Sequence, residues 1–424
     1  MAREGTDDLT RAPTPTFLKP TRDSLVQILT TLHEREMLRR SLGQQGRSWA
    51  AAAPRTRSSR STPEPGRAAD TEWYSVAVGT APANVNKNRY GDIIAYDRTR
   101  VLTATAEADP AAGPPPPYVN ASLVREPELG VDEAVLPRKW WIAAQAPIAS
   151  TVHDFLSLLL TRPCSPACAI RLPPVNLVVQ LTPLVEGRRA KCHPYFPDRV
   201  GETAAVPSPG DGTTPALWVR LEKKEERDGA RESILRVGRE GEQEGRRVVH
   251  LEYLGWRDHG VPESAPHLLR FIHRVQAANA ESVRADSDAQ VPEPPILLHC
   301  SAGVGRTGTF IAISSLLPLL AMRARGDIPT HATDNAASSS SHPLGPYPAD
   351  ALLQSEPGLE PRPAAAGSSS TSSAVRADAR DFVGATIDGL RDQRTTMAQT
   401  SEQVAWVYEC LREAWRSRLY GSNA

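Results

Sequence analysis

No charge of either sign dominates this 424-residue chain, in which Lys+Arg and Asp+Glu each total 49. Composition therefore offers no basic footprint for nucleic acid and no polybasic face for an anionic membrane. Cysteine is scarce and odd in number, with five residues at 164, 168, 192, 300 and 410. A disulfide framework is not expected, and a reducing compartment is favoured. Cys164 and Cys168 have the spacing of half a metal site, but no second Cys/His pair stands at suitable spacing, so no metal is expected. The longest apolar stretch, Phe310 to Met322, contains Pro318 and falls short of the ~20 residues that span a bilayer. The opening MAREGTDDLTRAPTPTF lacks an apolar core and carries acidic residues, so neither a signal nor a transit peptide is read there and a soluble protein is expected. Proline is the exception to this scarcity: 38 residues, against a usual share of about 5%, point to much loop-rich sequence. The length suits one large domain or two ordinary ones.

What the chain does have is Ile296-Leu297-Leu298-His299-Cys300-Ser301-Ala302-Gly303-Val304-Gly305-Arg306-Thr307-Gly308-Thr309-Phe310. This reads as a short apolar strand, a glycine-punctuated loop and a helix. Such a loop turns several backbone N–H groups towards one point, with the positive end of the helix dipole behind them. A thiol at a helix N-terminus ionises more readily than a free one and is nucleophilic near neutrality. The planar fork of an arginine grips two oxygens of a tetrahedral anion. Cys300 and Arg306 around an anion cradle specify phosphoryl transfer to sulfur.

The run from His299 to Phe310 resembles the signature loop of the tyrosine-specific, non-receptor type, cysteine-based protein phosphatases over its whole length. The resemblance implies an α/β (α+β) fold: a highly twisted central mixed β-sheet flanked by helices, with disordered insertions. It also implies that Ser301, Ala302, Gly303, Val304 and Gly305 hold the phosphoryl oxygens with Arg306. His299 supports the loop, and Thr307 eases departure of the Cys300 sulfur.

Residues 1–70 read as an N-terminal helix, Asp23 to Leu42, followed by a flexible connector from Gly43 to Asp70. The connector's arginines, Arg55, Arg57 and Arg60, suit a solvated linker, with docking to an acidic partner or a nuclear address as alternatives. A catalytic domain over 71–420 is expected to follow. Asn86-Lys87-Asn88-Arg89-Tyr90-Gly91-Asp92-Ile93 resembles the family's phosphotyrosine-recognition loop. By that match Tyr90 stacks on the substrate ring, and Asp92 accepts hydrogen bonds from the substrate backbone. A tall wall of this kind admits phosphotyrosine and keeps shorter phosphoserine from the thiolate. A Pro/Ala-rich excursion, Glu107 to Pro117, precedes two scaffold matches, Tyr118 to Leu123 and Trp140 to Pro147, the latter with Ala146 where glycine is usual. A helix from Thr151 through Leu160 with Thr151 as its cap is expected next, then a buried strand at Asn176 to Leu181.

Glu186-Gly187-Arg188-Arg189-Ala190-Lys191-Cys192 resembles the segment whose glutamate pairs with the signature arginine. Glu186 is thus expected to orient Arg306 and Lys191 to lie near the acid loop, with Cys192 in the core. Trp218 to Leu221 and Val248 to Tyr253 read as two strands around a charged hairpin, Lys223 to Arg247. Expelling a phenolate requires a proton donor. Trp256-Arg257-Asp258-His259-Gly260-Val261-Pro262 resembles the family's mobile acid loop, with Asp258 as the acid, Trp256 as support and Arg257 where proline is expected. The lost backbone restraint predicts altered loop closure. A helix over Leu268 to Ala278 and a polar lead-in from Glu281 to Pro295 come before the signature.

The stretch 325–374, rich in Ser, Pro, Ala and Gly, reads as a disordered insertion. Order is expected again from Asp378, with Phe382, Val383, Ile387 and Leu390 at helical spacing. Arg391 to Gln403 then resembles the family segment that positions the hydrolytic water, the role assigned to Gln399 with Gln403 assisting. Thr396 stands where glycine is usual, and its side chain is expected to narrow access beside the pocket. A core-facing helix, Gln403 to Leu419, closes the chain.

The resemblance implies a protein-tyrosine phosphatase with no cofactor, acting on tyrosine-phosphorylated proteins such as a signalling kinase. It further implies a monomer with no nucleic acid or membrane span, in the cytoplasm and extending to the nucleus. The competing readings are a dual-specificity or lipid phosphatase, a weakly active phosphotyrosine-binding module, and a scaffold acting through its disordered segments. The Cys300 thiolate is also a target for reversible oxidation.

Overall fold

The computed structural model describes residues 14–50, 72–102, 117–168, 170, 172–210, 214–256, 260–285, 293–326, 344–348 and 380–419. The chain enters through a long helix, α1 (Arg22–Ala50). Two strands follow, β1 (Ala121–Arg125) and β2 (Trp140–Ala144), then a short helix α2 (Val152–Ser157). Next come β3 (Leu177–Gln180), the two-residue strands β4 (Val185–Glu186) and β5 (Arg189–Ala190), and β6 (Thr203–Val206). Long strands β7 (Leu217–Arg227), β8 (Ala230–Arg239) and β9 (Arg246–Tyr253) lead to helix α3 (Ala265–Ala285). The final elements are β10 (Ile296–His299), α4 (Gly305–Arg325), α5 (Phe382–Gln393) and α6 (Ser401–Ser417).

Eight strands form one mixed sheet in the order β1-β2-β10-β3-β9-β8-β7-β6, and β4 pairs with β5 apart from it. Strands β2, β10, β3 and β9 run parallel, and the outer pairs are antiparallel. Strands β2, β10 and β3 are almost wholly apolar, with His299 and Gln180 at the ends of the latter two, because both of their faces are covered. Period-two alternation divides them: Ile296 and Leu298 belong to one core with Trp141, Ala143 and Val179, while Leu297 joins Ile142 and Val178 in the other. Helices α3, α4, α5 and α6 supply the first core and α2 the second. From Gly305 to Arg323, every residue of α4 except Arg306 and Pro318 is buried. By length and composition α4 is apolar enough to cross a membrane, yet it is the central core helix of this fold.

Several expectations are sharpened or corrected here. The charged hairpin expected over Lys223 to Arg247 is built mostly of the long strands β7 and β8. Asp228 and Gly229, at φ +52° and +66°, form the two-residue turn between β7 and β8. Inward Leu235 and Val237 bury one face of β8, while cross-strand pairs such as Arg236–Glu222 (2.5 Å) hold the charges on the other. The connector's first part, 43–50, continues α1, and 51–70 lies outside the described residues. Phe17, Leu18, Ile28 and Leu32 enter the main core, so the segment from Phe17 into α1 packs on the same core as the later strands and helices. Its Arg39 and Arg35 grip Asp388 of α5 at 2.6 and 2.9 Å.

Within the expected insertion, Leu344 and Gly345 offer carbonyls to Arg35 at 3.0 Å, and Tyr347 donates to Asp381 at 3.0 Å. That short piece is docked, and 327–343 and 349–374 lie outside the described residues, as does 107–116 of the Pro/Ala-rich excursion. Helix α2 ends at Ser157, short of Leu160, and the Thr151 hydroxyl bonds back to Ile148 instead of capping α2. Helix α3 extends to Ala285 into the stretch read as a polar lead-in.

Candidate active site

The loop between β10 and α4 is held from several sides. Gly303, at φ +72°, packs so tightly on β2 that a Cβ there would meet the Ala144 carbonyl oxygen at 2.1 Å. Ala146 N–H donates to Ser301 O at 2.9 Å. Arg394, fully buried, donates to Gly303 O at 2.8 Å and Ala302 O at 3.1 Å. Ala398 N–H donates to Val304 O at 3.2 Å. With its carbonyls tied outward, the loop turns N–H groups inward, and Gly303 N–H donates to Cys300 Sγ at 3.2 Å. Cys300 itself is 4% exposed, at the floor of a pocket of about 390 Å³.

Arg306, in the first turn of α4, donates through Nη1 to Glu186 Oε1 at 2.5 Å and to Leu181 O at 3.1 Å. Glu186 is buried, accepts from Thr182 Oγ1 at 3.1 Å and pairs through Oε2 with Lys191 Nζ at 3.3 Å. The β4–β5 hairpin thus brings Glu186 and Lys191 to Arg306. The Arg306 guanidinium also lies 6.0 Å from the centre of the buried Trp256 ring.

Tyr90 forms one wall and hydrogen-bonds Ser301 through hydroxyls 2.8 Å apart. Arg89 fixes this wall by donating to Ala146 O at 3.1 Å and Pro147 O at 2.5 Å. Asp92, Gln399 and Gln403 line the same pocket, with Asp92 and Gln399 exposed at its rim. Gln403 also closes a capping box at the start of α6: Thr400 Oγ1 accepts from Gln403 N at 3.1 Å, and Gln403 Oε1 from Thr400 N at 3.3 Å.

His299 is fully buried, with Nε2 2.9 Å from Tyr195 OH and Nδ1 donating to Cys300 O at 3.2 Å. Burial pulls its imidazole down to about 4, so it is neutral. Tyr195 OH also meets His250 Nε2 at 2.7 Å, and burial takes that imidazole down to about 3. Burial pushes the Cys192 thiol up to about 12, in keeping with its core position. The Thr307 hydroxyl is buried with no hydrogen-bond partner among the described residues, so the contact expected with the Cys300 sulfur is not made here. Asp258 lies with Arg257 and His259 outside the described residues. The ends flanking them are joined, since Trp256 Nε1 donates to Gly260 O at 3.2 Å.

Thr396 does not narrow the pocket. It is buried against α1, its N–H donating to Glu36 Oε1 at 3.1 Å. Arg394, Tyr195, Arg89 and Glu36 were not singled out from sequence. Arg394 and Tyr195 stood inside segments already matched by resemblance, but Glu36 carried no local signal. Among the described residues no group of three or more His, Cys, Asp or Glu is arranged to hold a metal ion.

A family model described as protein-tyrosine phosphatase matches residues 84–333. Tyrosine-protein phosphatase non-receptor type 9 of Homo sapiens is 31% identical over 243 residues, covering 57% of this chain and 36% of that protein. Receptor-type tyrosine-protein phosphatase C of Homo sapiens is 32% identical over 256 residues, 60% of this chain and 16% of that protein. Tyrosine-protein phosphatase 1 of Caenorhabditis elegans is 32% identical over 243 residues, 57% of this chain and 20% of that protein. The chain therefore spans little more than a third of the longest-matched of these relatives.

Proposed function

The chain belongs to the protein-tyrosine phosphatase family, and on that premise we propose that it hydrolyses phosphotyrosine in proteins through a phosphocysteine intermediate. The observation that carries this reading is the juxtaposition of Cys300, the Gly303 N–H at 3.2 Å and an Arg306 braced by Glu186 at 2.5 Å. The Cys300 thiolate attacks phosphorus while the loop N–H groups and Arg306 hold the equatorial oxygens. The bond from phosphorus to the tyrosine oxygen breaks, and Asp258 delivers its proton to the leaving phenolate. Water placed by Gln399, with Gln403 assisting, then attacks the phosphocysteine. Asp258 accepts its proton, and the sulfur leaves as thiolate with Thr307 turned to donate to it.

Tyr90 and Asp92 select the substrate, the ring stacking on Tyr90 and the peptide backbone bonding to Asp92. Such stacking is worth about 0.5–1.5 kcal/mol beyond burial. The partners proposed are tyrosine-phosphorylated proteins, a signalling kinase among them, met by a monomer in the cytoplasm and nucleus.

The test compares phosphotyrosyl and phosphothreonyl peptides and a phosphoinositide as substrates. Phosphotyrosine is expected to be hydrolysed with clear preference, Cys300→Ser to abolish turnover, and Asp258→Ala to slow it while substrate stays bound. Turnover that survives Cys300→Ser overturns the mechanism, and equal use of phosphothreonine overturns the substrate class.

A further inference from the structure

The segment that presents Gln399 is held in an unfavourable backbone conformation. Thr396 and Ala398 sit at φ +54° and +51°, a region that β-branched residues in particular avoid. The contacts that keep them there come partly from α1, which precedes the matched residues 84–333. Glu36 of α1, 5% exposed, accepts through Oε1 from Thr395 Oγ1 at 2.7 Å and from Thr396 N at 3.1 Å. Arg391 donates to Met397 O and Ala398 O, both at 2.9 Å, and to Leu32 O of α1 at 3.0 Å. Ala398 N–H in turn reaches Val304 O of the Cys300 loop at 3.2 Å. One continuous set of contacts therefore runs from α1 through 395–398 to the residue at the pocket rim.

We propose that Glu36 is a positioning residue for the second chemical step: its carboxylate holds the left-handed turn at Thr396 so that Gln399 stands over the phosphocysteine. Without that acceptor, the buried Thr396 N–H is unpaired and the turn relaxes towards ordinary backbone, carrying Gln399 away from Cys300. The first step does not use Gln399 and is left intact. This inference rests on the reading of Gln399 as the residue that places the water.

Rapid-mixing kinetics with p-nitrophenyl phosphate separate the two steps, since slow hydrolysis of phosphocysteine shows as a burst of p-nitrophenol. Glu36→Ala is expected to lower steady-state kcat about tenfold while the burst rises towards one product per enzyme, as displacement of a catalytic group predicts. Thr395→Val, which removes one of the two contacts at less risk to folding, moves both readouts the same way by about threefold. Thr396→Gly in the Glu36→Ala background restores kcat to within about twofold of Thr396→Gly alone, because glycine adopts this turn unaided. Gln399→Ala is run beside them. If Gln399→Ala enlarges the burst and neither Glu36→Ala nor Thr395→Val does, the positioning role is overturned and the reading of Gln399 stands. If Gln399→Ala leaves the burst unchanged, that reading fails and the positioning role with it. A Glu36→Ala protein that melts earlier but keeps kcat and burst is also an overturning result, and if it does not fold, Thr395→Val decides.

Discussion

Arg306 Nη1 and Glu186 Oε1 lie 2.5 Å apart, although their residues are 120 positions apart in the chain. The two side chains are 13% and 4% exposed, so solvent screens their attraction little. The second Glu186 oxygen is taken by Lys191 at 3.3 Å. The carboxylate thus bridges two cations, each of which lines the same pocket as Cys300, and holds the Arg306 guanidinium through Nη1.

Glu186→Ala is therefore expected to cost both stability and activity. Breaking one side of a buried ion pair costs about 3–5 kcal/mol, because the remaining charge stays buried. Here the pocket opens to solvent and the loss is expected at the lower end. Urea unfolding reads the stability, and kcat/KM on a phosphotyrosyl peptide is expected to fall at least tenfold, about 1.4 kcal/mol of transition-state stabilisation. Unchanged kcat/KM would show that Arg306 needs no brace.

Thr396→Gly is expected to stabilise the fold. The substitution relieves the positive φ, worth roughly 1–2 kcal/mol for a residue with a Cβ, and removes a buried hydroxyl that has no partner among the described residues. Glycine's extra chain entropy offsets part of this. A net gain of about 1 kcal/mol in urea unfolding is the expected outcome.

Gly308→Ala should do the reverse. A Cβ at this position of α4 would meet Ala398 N at 2.2 Å, and backbone does not yield as a flexible side chain does. Overpacking of this kind costs about 1–3 kcal/mol. It is expected to push the 397–399 segment away, so the melting temperature and the rate of phosphocysteine hydrolysis fall together.

Buried, neutral His250 and His299 predict acid sensitivity. Both have folded-state values, about 3 and about 4, below the ordinary histidine value of 6.5. Below that value the unfolded chain takes up protons that the folded one does not, so stability falls as pH drops from 6.5 towards 4. Each imidazole contributes about 1.4 kcal/mol per pH unit when fully engaged. Urea midpoints between pH 7.5 and 5 are expected to show this slope. His250→Gln, a partner for Tyr195 that does not titrate in this range, should reduce it.

Much of this molecule was legible along the chain. The apolar run Ile296 to Leu298, the glycines after Cys300 and the apolar continuation into α4 describe strand, loop and helix through local propensity and periodicity alone. The Asp228-Gly229 turn was also written locally, yet the charges around it obscured two long strands, because cross-strand pairing of opposite charges depends on which strand lies alongside. The extent of α1 was hidden for a related reason: the stretch after Leu42 has no apolar period of its own.

By itself the sequence placed Cys300, the glycine-rich N–H cradle and Arg306 in one contiguous loop, and so pointed to the chemistry proposed for it. Tertiary structure alone decided what holds that loop: Glu186 on Arg306, Arg394 on Ala302 and Gly303, Tyr90 on Ser301, and Glu36 on the turn before Gln399. The contacts from Glu36 span about 360 residues. Buried polar groups must find partners wherever folding places them, and neither periodicity nor propensity records a pairing at that distance.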